Sequence, residues 1–199
     1  MACIALGFEI SIYWSAYVTD SEVAQVQPIP FSHKHHVGQL GLDCRYCHTS
    51  VEKAATAGIP STHTCMTCHS QIWTKSPVLA PLREAFVAQK PIHWNRVYRL
   101  PNYVYFNHSI HVGKGIGCVS CHGPMDQMPI TWQHRAFYMR QCVECHRHPE
   151  DELRPISEVF NLHWTAPTNE KERRHLGVVL VERYKIPKQR LTDCTTCHR

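Results

Sequence analysis

Short helices and loops, with no layered sheet and no long bundle, are the fold class that this sequence predicts. Three observations predict it. The motif Cys-x-x-Cys-His occurs five times in 199 residues. Histidines far outnumber those that the motifs use. At about 40 residues per motif, the chain is too short to wrap ordinary layers of secondary structure around five sites.

The motifs are Cys44-Arg-Tyr-Cys47-His48, Cys65-Met-Thr-Cys68-His69, Cys118-Val-Ser-Cys121-His122, Cys142-Val-Glu-Cys145-His146 and Cys194-Thr-Thr-Cys197-His198, which leave only Cys3 of the 11 cysteines. Two cysteines on one helical turn reach the two vinyl groups of a haem as thioethers, and the next histidine then meets the iron. Zinc or thioredoxin-like chemistry would use Cys-x-x-Cys too. Neither explains a histidine after every pair. The expected fold is therefore a multihaem cytochrome c: short α-helices and loops around five c-type haems in cytochrome c3/c7-like repeats, with an N-terminal transmembrane helix.

Taken in order, residues 1–19 read as a membrane anchor. Ile4 to Val18 is apolar apart from Glu9, and Tyr13, Trp14 and Tyr17 resemble an interfacial belt. The stretch is just short of the roughly 20 residues needed to cross a bilayer, so the expected anchor is an incomplete one that lacks its first turns. No Lys or Arg precedes Lys34. An uncleaved signal remnant and a buried core helix are the competing readings. Residues 20–30 follow as an acidic, extended linker with two prolines, suited to the translocated side of a membrane.

Residues 31–199 form the expected haem domain, on the periplasmic side of a bacterial inner membrane, where haem is attached. The domain contains a repeat. Phe31-Ser-His33-Lys-His-His36-Val-Gly aligns with Phe106-Asn-His108-Ser-Ile-His111-Val-Gly, each ahead of a motif, with a one-residue gap before the cysteines. Residues 31–75 and 102–150 are read as two dihaem units, and 189–199 as the fifth site. A proline-rich linker holding a short helix, Ala80 to Gln89, joins the units. A second connector carries the charged run Glu170-Lys-Glu-Arg-Arg174 and a β-like Val178-Val-Leu-Val181.

The thioether set is thus Cys44, Cys47, Cys65, Cys68, Cys118, Cys121, Cys142, Cys145, Cys194 and Cys197, and the proximal iron ligands are His48, His69, His122, His146 and His198. A low-spin haem needs a second axial ligand. His33, His36, His108 and His111 are the candidates, because His-x-x-His on a helix presents two imidazoles from neighbouring turns and can serve two haems. For the fifth, Met139, His134 and His163 remain open. A Met ligand would raise that haem's potential, though Met is more often a packing residue. His35, His63, His148 and His175 read as caps or propionate contacts, and His93 and His163 as packing beside Trp.

The formal charge of +5 does not argue for nucleic acid, because haem propionates and ferric charge bring the holoprotein to roughly 0 oxidised and roughly −5 reduced. Three functions are open: a pure electron relay, a haem reductase with one open iron, and a stand-alone quinol dehydrogenase. No catalytic residue is identified.

Pro30-Phe-Ser-His-Lys-His-His36, Leu42-Asp-Cys-Arg-Tyr-Cys-His-Thr-Ser50, Tyr105-Phe-Asn-His-Ser-Ile-His111 and Cys118-Val-Ser-Cys-His-Gly-Pro-Met-Asp-Gln-Met128 closely resemble the pentahaem cytochrome c component of bacterial alternative complex III, over about residues 28–165. The resemblance implies an electron-transfer subunit of a quinol-oxidising membrane complex. Its partners would be an iron–sulfur subunit, integral membrane subunits and a monohaem cytochrome c. Electrons would run from iron–sulfur clusters toward a periplasmic acceptor.

Overall fold

The first element is an apolar helix, α1 (Ala2–Tyr13), broken at Trp14 and Ser15 before a single turn, α2 (Ala16–Thr19). In this computed structural model, which describes residues 2–198, no helix is long and apolar enough to cross a membrane. The transmembrane expectation therefore finds no support among the described residues. The 12 residues of α1 extend only about 18 Å, against about 30 Å of bilayer hydrocarbon. The aromatic cluster read as an interfacial belt is partly spent on the protein itself. Tyr13 and Trp14 pack on Tyr138 with ring centres 5.9 and 4.5 Å apart, and the Tyr138 hydroxyl donates to the Tyr13 carbonyl at 3.0 Å. Residue 1 of the anticipated anchor, residue 199 of the fifth site and the side chain of Cys3 lie outside the described residues.

The segment 20–30 lies along the domain. Glu22 donates its N–H to the Gln133 carbonyl at 2.8 Å, and Gln27 and Asn95 exchange hydrogen bonds at 2.9 Å in each direction. Ile29 is buried with Leu79 and Leu82.

Every Cys-x-x-Cys-His motif occupies a short helix: α3 (Cys44–Cys47), α4 (Thr62–His69), then, after the linker helix α5 (Ala80–Val87) and the ligand-bearing α6 (His108–Gly113), α7 (Cys118–His122), α8 (Met139–Arg147) and, beyond α9 (Glu170–Arg183), α10 (Cys194–Cys197). Asp43 caps α3 by accepting from the Arg45 N–H at 2.8 Å. Asn107 caps α6 through the Ser109 N–H at 3.0 Å. The described residues hold only isolated β-bridges, no sheet.

The one-residue gap in the repeat has a structural counterpart. Where the second copy forms the α-helix α6, the first forms a π-helical turn over Lys34–Gln39. A π turn closes over five residues instead of four and so takes up one inserted residue without unwinding the helix.

The linker helix lies where the prolines place it, with Pro81 in its first turn. The β-like reading of Val178–Val181 is corrected, since these residues continue α9. The Asn169 side chain caps it by accepting from the N–H groups of Lys171 and Glu172 at 2.9 and 3.3 Å. Gly177 and Leu180, one turn apart, are buried. A Cβ at Gly177 would collide with the Glu150 carbonyl, so close backbone approach rather than strand propensity sets the local structure.

Protein side chains make little core of their own. One cluster joins Ile29, Leu79 and Leu82 with Cys65 and Met66 at its edge, and another joins Val51, Val112 and Val159 with Cys118 at its edge. Each sits against a motif.

Candidate haem sites

Within each motif helix the two cysteines stand one turn apart, and the following histidine closes the turn. The His48 N–H, for instance, donates to the Cys44 carbonyl at 2.8 Å, and that of His198 to the Cys194 carbonyl at 2.9 Å. No disulfide joins any of the motif cysteines.

The two copies of Phe-x-His-x-x-His superpose in detail. Phe31 meets His33 edge-on at 4.9 Å and stacks on His36 at 4.4 Å; Phe106 meets His108 edge-on at 4.8 Å and stacks on His111 at 4.4 Å. The phenylalanine thus braces both imidazoles, a role that its place in the repeat marks but does not specify.

Each brace aims a histidine at a motif. His36 faces His69, His108 faces His122 and His111 faces His146, and in all three pairs the ring centres are 6.2 Å apart. Two imidazoles sharing one metal, each with a bond of about 2 Å and about 1.2 Å from that nitrogen to the ring centre, stand roughly 6.3 Å apart. The gaps therefore fit an iron. His33 completes the pattern beside His48, whose charge opposes its protonation. Burial first, then His48 and His36, lowers His33 to about 4. Burial likewise lowers His36 and His111 and takes His122 to about 4, keeping these imidazoles neutral as ligation requires.

Hydrogen bonds also decide which nitrogen is free. Nδ1 of His36 donates to the Ser32 carbonyl (2.9 Å), of His48 to Gly58 (2.7 Å), of His108 to Ala55 (2.9 Å), of His111 to Asn107 (2.7 Å) and of His146 to Leu191 (2.9 Å). Longer bonds of the same kind join His69 to Ile72 (3.4 Å) and His198 to Tyr103 (3.2 Å). Each leaves Nε2 with its lone pair for a metal.

The fifth site differs. His198 meets Tyr103 at 5.8 Å, and no second imidazole is stacked on it among the described residues. Met139 opens α8 and is 69% exposed. His163 offers Nε2 to Asp126 Oδ2 at 3.0 Å. The His134 ring rests against Gly123, directly after motif three. Of the other histidines, His35 bonds Gln39 at 2.7 Å and His63 approaches Gln89 at 3.4 Å and packs on Phe86. His148 lies beside Glu150, and His175 is exposed on α9.

Sequence reasoning missed two residues. Tyr98 donates to the carbonyls of His122 (3.2 Å) and Trp132 (3.0 Å), with its ring 4.5 Å from the His122 ring. Arg154 is buried, its guanidinium 4.8 Å above Trp164 and against Gly117 just before Cys118, and its Nε has no partner. Its Nη1 donates to the Asn161 carbonyl at 3.2 Å, and a buried cation with a donor to spare beside a motif suits a haem propionate; no motif or spacing marked it. Among the described residues no group of three or more His, Cys, Asp or Glu side chains could hold a bare metal ion.

Residues 104–199 match the family model of cytochrome c7 and related cytochrome c. The chain is also 28% identical to the multihaem cytochrome c subunit of a menaquinone reductase from Nitratidesulfovibrio vulgaris, over 94% of this chain and 83% of that protein. The repeated Cys-x-x-Cys-His helices and the imidazole pairs spaced for an iron agree with both likenesses: residues 104–199 are similar to cytochrome c7, and the motifs along the whole chain are those by which a multihaem cytochrome c binds c-type haem.

Proposed function

We propose that this chain is the electron-relay subunit of a quinone-linked membrane oxidoreductase of the alternative complex III type, with five c-type haems and no substrate site of its own. The observation that carries it is the 6.2 Å spacing in three separate histidine pairs. Paired imidazoles occupy both axial positions of an iron, which suits electron transfer and leaves nothing open for a substrate. When bound, each haem supplies a one-electron couple whose potential is set by its axial ligands and burial.

The residues that would hold the haems are the ten motif cysteines, the proximal histidines His48, His69, His122, His146 and His198, and the distal set His33, His36, His108 and His111. Met139, His134 and His163 are the remaining candidates for the fifth haem. The domain would work on the periplasmic side of a bacterial inner membrane as two dihaem units, 31–75 and 102–150, with a fifth haem at 189–199. Iron–sulfur and integral membrane subunits and a monohaem cytochrome c would be its neighbours, and contact with them would hold it at the membrane. The relative's name supports a link to the quinone pool. It also favours a second reading, in which electrons run into menaquinone rather than out of quinol.

The test is the EPR spectrum of the oxidised, haem-loaded protein beside the optical response of the reduced protein to carbon monoxide. The expected result is low-spin signals throughout and no carbon monoxide band. A stoichiometric high-spin haem that binds carbon monoxide would replace the relay with an enzyme.

A further inference from the structure

Numbered along the chain, sites 1 to 5 are the motifs that begin at Cys44, Cys65, Cys118, Cys142 and Cys194. We propose that they do not follow one another in space in chain order but run 2, 1, 3, 4, 5, which makes site 2 and site 5 the two ends of the array. This rests on the relay reading.

Sites 1 and 2 touch directly, as the Tyr46 hydroxyl inside motif one bonds Thr67 Oγ1 inside motif two at 2.7 Å. Beyond site 2 lies no other motif. Cys65 and Met66 pack instead on Ile29, Leu79 and Leu82.

Sites 1 and 3 are joined by a reciprocal exchange. His33, the distal residue of site 1, is held at Nδ1 by Thr131 Oγ1 (2.9 Å), from the segment after motif three; His108, the distal residue of site 3, is held at Nδ1 by the Ala55 carbonyl (2.9 Å), from the segment after motif one. The backbone repeats the exchange. Lys34 N–H donates to the Met128 carbonyl at 3.0 Å and Ser109 N–H to the Ala54 carbonyl at 3.2 Å. Val51, three residues after motif one, is buried with Val112 against Cys118. The two units therefore meet through their first sites, in a pseudo-twofold arrangement, and their second sites point outward.

Sites 3 and 4 take their distal histidines, His108 and His111, from the same helix. Site 5 attaches to site 4, since the His146 imidazole is held by the Leu191 carbonyl (2.9 Å), three residues before Cys194. Exposure agrees as well. Cys68 and Cys194, from sites 2 and 5, are the exposed motif cysteines, and the rest are partly covered.

The experiment uses the haem-loaded protein with His33→Met or His36→Met. A His/Met haem has a raised potential, so the altered site is reduced first and loses its unpaired spin while the other haems stay ferric. The EPR linewidth and relaxation of its immediate neighbours should then change. Silencing site 1 should alter two of the remaining signals, and silencing site 2 only one. Chain order requires the reverse, one and two, and that result or any other count overturns the proposal. A variant that fails to load haem at the altered site removes the same spin and is read identically. Haem content below five in the unaltered protein would defeat the five-haem reading by itself, and loss of the haem at site 4 or 5 leaves the neighbour counts at sites 1 and 2 as stated.

Discussion

Three of the candidate distal histidines, His36, His108 and His111, are each fixed by two contacts of opposite kinds. An Nδ1 hydrogen bond to a carbonyl sets the tautomer, and an aromatic face or edge from Phe31 or Phe106 sets the ring plane. Such bracing lets imidazoles stand 6.2 Å apart, ready for an iron, at little cost in ordering on metal binding. Removing one imidazole should therefore open one site and leave the others alone. In His111→Gly, a single haem should turn high-spin and bind carbon monoxide, read by EPR and by the carbon monoxide difference spectrum, with the remaining haems still low-spin. If all signals stay low-spin, His111 is not the partner of His146.

Helices here are short because they serve as mounts. A four-residue turn such as α3 or α10 is below the length at which a helix persists alone, so caps and tertiary contacts hold it. The 14-residue α9 is the exception, and its dependence on a cap is testable. Asn169→Ala removes the acceptor for two backbone N–H groups and should cost about 1 kcal/mol, with Asn169→Asp retaining most of it. Thermal unfolding of the haem-loaded protein measures both, and equal melting temperatures for wild type and Asn169→Ala would refute the role. The same element shows the limit of pattern reading. Four consecutive apolar residues at Val178 resemble a strand, and only the approach of Gly177 to Glu150 reveals a helix face. The π turn at Lys34–Gln39 was legible in part: the alignment required a one-residue gap but could not say where the backbone would absorb it.

At the scale of the whole molecule, six of the buried apolar side chains form two small clusters, each beside a motif, and Met128, Leu153 and Leu180 are buried apart from them. The porphyrins must supply much of the remaining apolar contact, and burial is the main source of cooperative stability. Chain produced without haem attachment should accordingly show no cooperative thermal transition by circular dichroism, where the haem-loaded form shows one. A sharp transition in the haem-free chain would mean that the protein core suffices. Size and net charge carry no information on this point, because the largest hydrophobic groups are not encoded as side chains.

By itself the sequence determined the chemistry. Spacing within Cys-x-x-Cys-His is local, a single turn brings its members together, and the Phe-x-His-x-x-His repeat is equally local. The motif residues, the candidate distal histidines and the haem class therefore needed no tertiary structure. What only the fold decided is everything that depends on segments far apart in the chain: which distal histidine faces which motif, the docking of Tyr13 and Trp14 on Tyr138, the buried Arg154 beside Cys118, and the meeting of the two units through Thr131 and Ala55. Those contacts join residues up to 125 positions apart. No period or spacing records them, since they arise from the packing of whole units.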